Sequence, residues 1–283
     1  MYPDRARSRC ALPLLLFAAA CPEPYYNDDI GIPGVATAEG ELAGSWAVRL
    51  RYITVAYVPV LGHEVQSGGD KYYLLERTWQ ATAGDYLERW RLCADINFES
   101  AGLLMTTPDA TRDSVVLLDT RARVDHASGE FGTADHTELW ALRNLPDLHN
   151  TPIPTPDNYR DAPQRDWIYD ADNDGHVGHT MLLSGYLQGE DYYVCRKFHQ
   201  LTGVIASADR VLGLHRLRSS WSVLESTASP IAVHTGEIPS DQAEQHPDPK
   251  VNWWEQARLA DGADCARVRA AMDDGTLSRL RPF

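Results

Sequence analysis

The sequence predicts a mainly β protein, an antiparallel barrel or sandwich with a short helical segment at its C-terminal end. Two observations carry this. Apolar and polar residues alternate in run after run, with turn residues between the runs, and a helical period is confined to the residues after 251. At 283 residues, 43% hydrophobic and 23% charged, the chain can bury a core as one medium domain or two small ones, which excludes a disordered tail or a small disulfide scaffold.

The folded part opens at Gly44-Ser45-Trp46, where Trp46, Val48, Leu50 and Tyr52 share one parity and Ala47, Arg49 and Arg51 the other. That two-residue period predicts a half-buried strand. Strands follow at about 71–80 and 85–98. In the second, Tyr86, Trp90, Leu92, Ala94, Ile96 and Phe98 form the apolar face, and Asp85, Arg89, Arg91, Asp95 and Asn97 the polar one. Residues 113–125 repeat the pattern, with Val116, Leu118, Ala122 and Val124 opposite Asp119, Arg121, Arg123 and Asp125. After a strand near 136–143 comes a proline-rich passage, 144–166, whose Pro146, Pro152, Pro154, Pro156 and Pro163 cannot donate ladder hydrogen bonds; it is expected to be a long surface loop. Strands are then expected at 178–187, 191–204 and 210–225, the first two joined by a hairpin at Gln188-Gly189-Glu190. Two short helical runs close the chain, NWWEQARLA from Asn252 and ADCARVRAAM ending near Gly275. The expected organisation is a signal peptide at 1–20, a lipidated tether at 21–43, a β domain at 44–227, and a C-terminal loop and helical segment at 228–283 packing on it.

The N-terminal end directs the functional reading. Arg5, Arg7 and Arg9 precede an apolar stretch, Ala11 to Ala20, that closes on small residues before Cys21 and is too short to span a bilayer. The segment Phe17-Ala18-Ala19-Ala20-Cys21 resembles the lipobox of bacterial lipoproteins, departing from it at Ala18 where leucine is usual. The resemblance implies export, diacylglycerol on the Cys21 thiol, and a place in the cell or outer membrane, facing the periplasm or the exterior. The chain carries 40 acidic and 26 basic residues, and loss of residues 1–20 removes one acid and three bases, leaving a net charge of −16. Such a surface repels phosphate backbones, so nucleic acid is not an expected partner. Gly44-Ser45-Trp46 also resembles the Gly-x-Trp opening of lipocalin-like (calycin) barrels. That resemblance implies that Trp46 seals the barrel base under an arginine from the last strand, with Arg216 or Arg218 the matching candidate.

The sharpest local motif is Asp170-Ala171-Asp172-Asn173-Asp174-Gly175-His176. Carboxylates at alternate positions followed by glycine suit a loop wrapping a hard cation, because the spacing turns three oxygens inward and Gly175 permits the sharp turn. The pattern resembles the EF-hand calcium loop at Asp170, Asp172, Asp174 and Gly175, with the His176 carbonyl at the backbone position. It departs at Gly178 and at Met181, where a bidentate glutamate would close the site. Asp166, Glu190 or Asp191 is expected to supply the missing ligand to a structural calcium ion. His176 and His179 lack the further ligands a zinc site needs.

Three cysteines remain after processing, enough for one bridge and one thiol. Cys93 lies on the polar parity of its strand, outside the barrel, where the C-terminal segment carrying Cys265 must pack. Cys93–Cys265 is therefore the expected bridge, with Cys195 able to replace either partner. Ser184 lacks the Gly-x-Ser-x-Gly elbow, and no P-loop, dinucleotide fingerprint or His-Glu-x-x-His occurs. Most of the eight tryptophans fall in strand or helix patterns as core residues, with Trp253-Trp254 a candidate cover for a barrel end.

The expected function is that of a lipid-anchored, non-enzymatic envelope protein, a calcium-stabilised barrel binding a small apolar ligand. The rivals are a structural or protein-interaction lipoprotein with a filled barrel, and a calcium-dependent hydrolase. A binding barrel needs a cavity of roughly 300 Å³ or more, and a hydrolase needs nucleophile, base and oxyanion donors brought together.

Overall fold

The structure is a computed structural model describing residues 30–58, 63–100, 102–185, 187–228, 236–238, 243–278 and 280–282. The expected signal peptide, Cys21 and the expected tether up to residue 29 lie outside the described residues. Fourteen strands run in chain order as β1 (Gly44–Val58), β2 (His63–Gln80), β3 (Asp85–Asn97), β4 (Leu103–Thr106), β5 (Val116–Leu117), β6 (Thr120–Asp125), β7 (Glu130–Thr133), β8 (His136–Trp140), β9 (His179–Gly185), β10 (Gly189–Ser207), β11 (Arg210–Ser226), β12 (Gly236–Ile238), β13 (Ala243–Gln245) and β14 (Trp253–Arg258). Helices α1 (Asp109–Ser114) and α2 (Cys265–Asp273) complete the elements used below. The predicted class, mainly antiparallel β with a short C-terminal helix, is what the chain adopts.

Eight strands close a ring, in the order β1, β2, β3, β6, β7, β10, β11, β14 and back to β1, every pairing antiparallel. Ring neighbours succeed one another along the chain, so the ring is an up-and-down meander. The apolar parity faces its middle: Trp46, Val48, Leu50, Tyr73, Leu75, Trp90, Phe131, Leu201, Val211 and Trp254 pack there as one cluster. A second cluster lies outside, where Ala47, Tyr72, Leu74 and Ala257 meet Val268 and Ala271 of α2. Asp264 caps this helix by accepting from the Arg267 N–H at 3.0 Å.

Several expectations are corrected. Residues 253–258 form a strand, not a helix, inserted between β1 and β11, so the ring does not end at residue 227. Trp254 and Gln256 face the ring interior while Trp253 and Ala257 lie under the outer layer, and burial on both faces removes the alternation that marks a half-exposed strand. Along 113–125 a single strand is replaced by the end of α1, then β5, then β6. The proline-rich passage is a loop, but its Ile153 and Tyr159 are buried against Leu139, Val194 and Leu224 on the outside of the sheet. In β3 a register shift pairs Tyr73 with Leu92 and Tyr72 with Ala94, leaving Cys93 as the extra residue. This bulge exchanges the faces, so Asp95 and Asn97 turn inward and Ile96 is exposed.

One end of the ring is sealed at Trp46. The arginine from the last strand is Arg258, whose guanidinium lies 4.5 Å over the Trp46 ring, with Arg77 at 5.2 Å. Arg216 and Arg218 are not there: both are exposed on β11, and Arg218 pairs with Asp135 at 2.7 Å. The reason is topological, because the strand that closes the ring is β14. Arg77 is held by Glu88 at 2.6 Å and donates to Gln256 at 2.6 Å.

The bridge is Cys93–Cys265, closing a separation of 172 residues, and Cys195 remains a buried thiol. Cys93 shares the outward parity of Arg89 and Arg91 and so sits outside the ring, in the cluster that α2 covers. Cys265→Ser should lower stability by about 3 kcal/mol, read as an earlier urea midpoint with an unchanged β spectrum. An unmoved midpoint would mean that the bridge carries no stability.

Candidate functional site

The acidic loop leads into β9. Its ends are tied together by Gly178 N–H to the Tyr169 carbonyl at 3.1 Å and Ala171 N–H to the Gly178 carbonyl at 3.3 Å. Asn173 and Gly175 take positive φ of 61° and 94°, which turns the chain inside the motif. One carboxylate oxygen from each of Asp170, Asp172 and Asp174 lies within 4.8 Å of the others, a group that could hold a metal ion. Asp170 accepts from Asp174 N–H at 3.2 Å and Gly175 N–H at 2.9 Å, and Asp174 from His176 N–H at 2.8 Å. The second oxygen of Asp172 accepts from Thr111 Oγ1 at 2.6 Å and Thr180 N–H at 2.9 Å, while its Oδ1 is buried without a donor. A free carboxylate oxygen beside two others is a donor set suited to a hard cation.

The expected closing ligands stay out of this group. Asp166 is exposed next to Arg165, Glu190 accepts from the Tyr192 hydroxyl at 2.7 Å, and Asp191 is buried with its carboxyl pushed up by desolvation. The His176 ring stacks on Tyr192 at 3.9 Å between centroids. His179 is buried, meets Ser114 Oγ at 2.7 Å, and burial pushes its imidazole down to about 4. Ser184 is exposed, 3.5 Å from the Leu104 carbonyl.

The second concentration of chemistry is inside the ring, and sequence reasoning missed it. Glu138 on β8, fully buried, faces Lys71 of β2 at 2.5 Å. It also accepts from the Tyr73 hydroxyl and from Trp140 Nε1 at 2.9 Å, and His199 Nε2 lies at 3.3 Å. Burial alone would raise this carboxyl, but the Lys71 ammonium, with the Lys197 ammonium beyond it, holds it well below the usual carboxylate range. His136, His199 and His215 line up beside it, with ring centroids 5.9 and 5.7 Å apart. All three are kept neutral by burial, His136 being pushed down to about 3. The signal was available: His136, Glu138 and Trp140 share a parity, as do Tyr193, Cys195, Lys197 and His199, so charged and imidazole groups stood in apolar register.

Beyond this cluster, at the end opposite Trp46, the ring holds a cavity of about 180 Å³. Met181, Leu217 and Trp221 give it apolar walls, and Asp95 and Lys197 reach it from facing strands. Among the described residues no helix is long and apolar enough to cross a membrane. Compared with known proteins, the chain matches no protein-family model, no curated protein and no solved structure.

Proposed function

We propose that the chain is a lipid-anchored, non-enzymatic protein of the cell envelope that binds a small ligand at the open end of its ring, with a calcium ion pinning the acidic loop. The observation that carries the binding reading is the cavity of about 180 Å³ lined by Lys197 and apolar side chains, at the one end that no tryptophan–arginine lid covers. The cavity falls short of the roughly 300 Å³ expected of a binding barrel, which counts toward the filled-barrel reading and leaves room only for a guest smaller than a drug-sized molecule. The meander order and Arg258 over Trp46 support a lipocalin-like reading of the ring.

A second reading is favoured by the packing. Trp46, Tyr73, Trp140 and Trp254, together with the Lys71–Glu138 pair, fill most of the interior, as a structural or protein-interaction lipoprotein with a solid barrel would require. A hydrolase has less support. Burial pushes the Cys195 thiol up to about 11, which makes it a poor nucleophile, and the Ser184 hydroxyl meets only a backbone carbonyl.

Mass spectrometry of the native protein extracted from its own membrane tests the first reading. The expected result is diacylglycerol on Cys21 with a retained small molecule; an unmodified Cys21 and an empty protein would overturn it. For the loop, calcium at a hundredfold over its dissociation constant should add about 2.7 kcal/mol, seen as a higher melting temperature that EGTA reverses. Asp172→Asn should abolish the response. A melting temperature indifferent to both calcium and EGTA would remove calcium from the account.

A further inference from the structure

We infer that the cavity at the open end takes a small zwitterion, a compound of ammonium, carboxylate and short apolar chain with the size of a free amino acid such as leucine. The inference rests on the ligand-binding reading above and specifies its ligand chemistry.

Three polar groups lining the cavity are unmatched, the Lys197 ammonium, one Asp95 oxygen and the Trp221 indole N–H, and the first two are charged. Among the described residues the Lys197 ammonium has no hydrogen bond or ion pair; it lies 5.5 Å over the Tyr52 ring and 5.1 Å over the Trp140 ring. Asp95 uses one oxygen to accept from Thr107 Oγ1 at 3.2 Å, and its Oδ1 is buried without a donor. No ion pair joins Asp95 to Lys197, although both line the same cavity. A cation with no acceptor and a buried carboxylate oxygen with no donor, facing one cavity, are costly unless something placed between them satisfies both.

The alternatives fail on charge. An anion would answer Lys197 but bring a second negative charge to Asp95. A cation would answer Asp95 and crowd the ammonium. A purely apolar guest would leave both groups unmatched while displacing the water that could serve them. A zwitterion matches both, its carboxylate toward Lys197 and its ammonium toward Asp95, and the walls of Met105, Met181, Leu217 and Trp221 are left for an apolar side chain. Burial would push the Lys197 ammonium down, yet the acidic groups around it, Tyr52 and Cys195 first and then Glu138 and Asp95, raise it, so it stays charged to receive a carboxylate.

The test is calorimetric titration of the whole chain with three probes of one shape: leucine, 4-methylpentanoate and 3-methylbutylamine. Leucine should bind, and each singly charged analogue should bind at least about tenfold more weakly. Lys197→Met and the isosteric Asp95→Asn should each weaken leucine by at least about tenfold, the former with relative gain for the amine. The probe comparison needs only the unaltered protein, so a variant that fails to fold does not decide the matter. Binding of an analogue as tight as leucine, or tighter, overturns the zwitterion while leaving a ligand site. If none of the three binds, the zwitterion falls; if the extracted protein also retains nothing, the binding reading falls with it.

Discussion

Replacing Lys71 by methionine should destabilise the fold by about 3–5 kcal/mol, the cost of leaving a carboxylate buried without its cation. Lys71 and Glu138 are both fully buried and 2.5 Å apart, so no water can take over the charge. The direct partners that remain, Tyr73, Trp140 and His199, are neutral, and the Lys197 ammonium acts on Glu138 only from beyond ion-pair contact. Removing both charges together should behave differently. Lys71→Met with Glu138→Leu should recover most of the loss, because a buried pair compensates its own desolvation and adds little beyond that. Urea unfolding of both variants checks this. A single substitution costing under about 1 kcal/mol would mean that Glu138 is not held as a charge in the folded state.

The second large effect is acid lability. His136, His179, His199 and His215 are buried, and all four imidazoles are pushed below the ordinary value of 6.5 by desolvation, His136 to about 3 and His179 to about 4. Well above pH 6.5 neither folded nor unfolded histidine is protonated, and the fold keeps its full stability. Below it the unfolded chain binds protons that the folded chain refuses, so stability is lost progressively down to the folded values. Between pH 6.5 and 5.5 His136 and His179 each cost about 1 kcal/mol, about 2 kcal/mol for the two, and His199 and His215 add losses of the same sign. A loss of that order is a sizeable fraction of the whole stability of an ordinary domain. Glu138, held low by Lys71, adds a loss of the same sign below pH 4.5. Melting temperatures should be level from pH 8 to 7 and fall steeply from 6.5 to 5; a flat profile through pH 5 would contradict the neutral histidines.

What the sequence made legible follows from where water lies. The first half of β3, with one face to solvent, alternates and was readable; β1 was readable because its outward positions carry Arg49 and Arg51, although Ala47 and Arg49 are buried under the outer layer. β14 has no solvent face, and Trp253-Trp254-Glu255-Gln256 read as helix for that reason. The Cys93 bulge shifts parity by one residue with no local signature, which hid the inward turn of Asp95. The bridge was legible because it needs only Cys93 outside and the tail packed there. In the acidic loop Asp170, Asp172 and Asp174 were readable from local spacing, whereas Thr111 and Thr180, which brace it, come from elsewhere in the chain. The interior charges were missed since a charge in a strand is ordinarily assigned to solvent, and only the closed ring brings Lys71 of β2 to Glu138 of β8.

The stretch just before β1 gives the molecule an orientation. Val35 N–H donates to the Ile205 carbonyl at 2.8 Å, Thr37 N–H to the His126 carbonyl at 3.0 Å, and Leu42 is wholly buried beside Trp46. The leader therefore leaves the ring at the lidded pole. Ile30 lies nine positions after Cys21, a reach of at most about 30 Å at full extension. On the proposed anchor, that pole would be moored near the bilayer and the mouth would look outward, supplied by solutes diffusing through the surrounding fluid instead of by molecules travelling within the membrane.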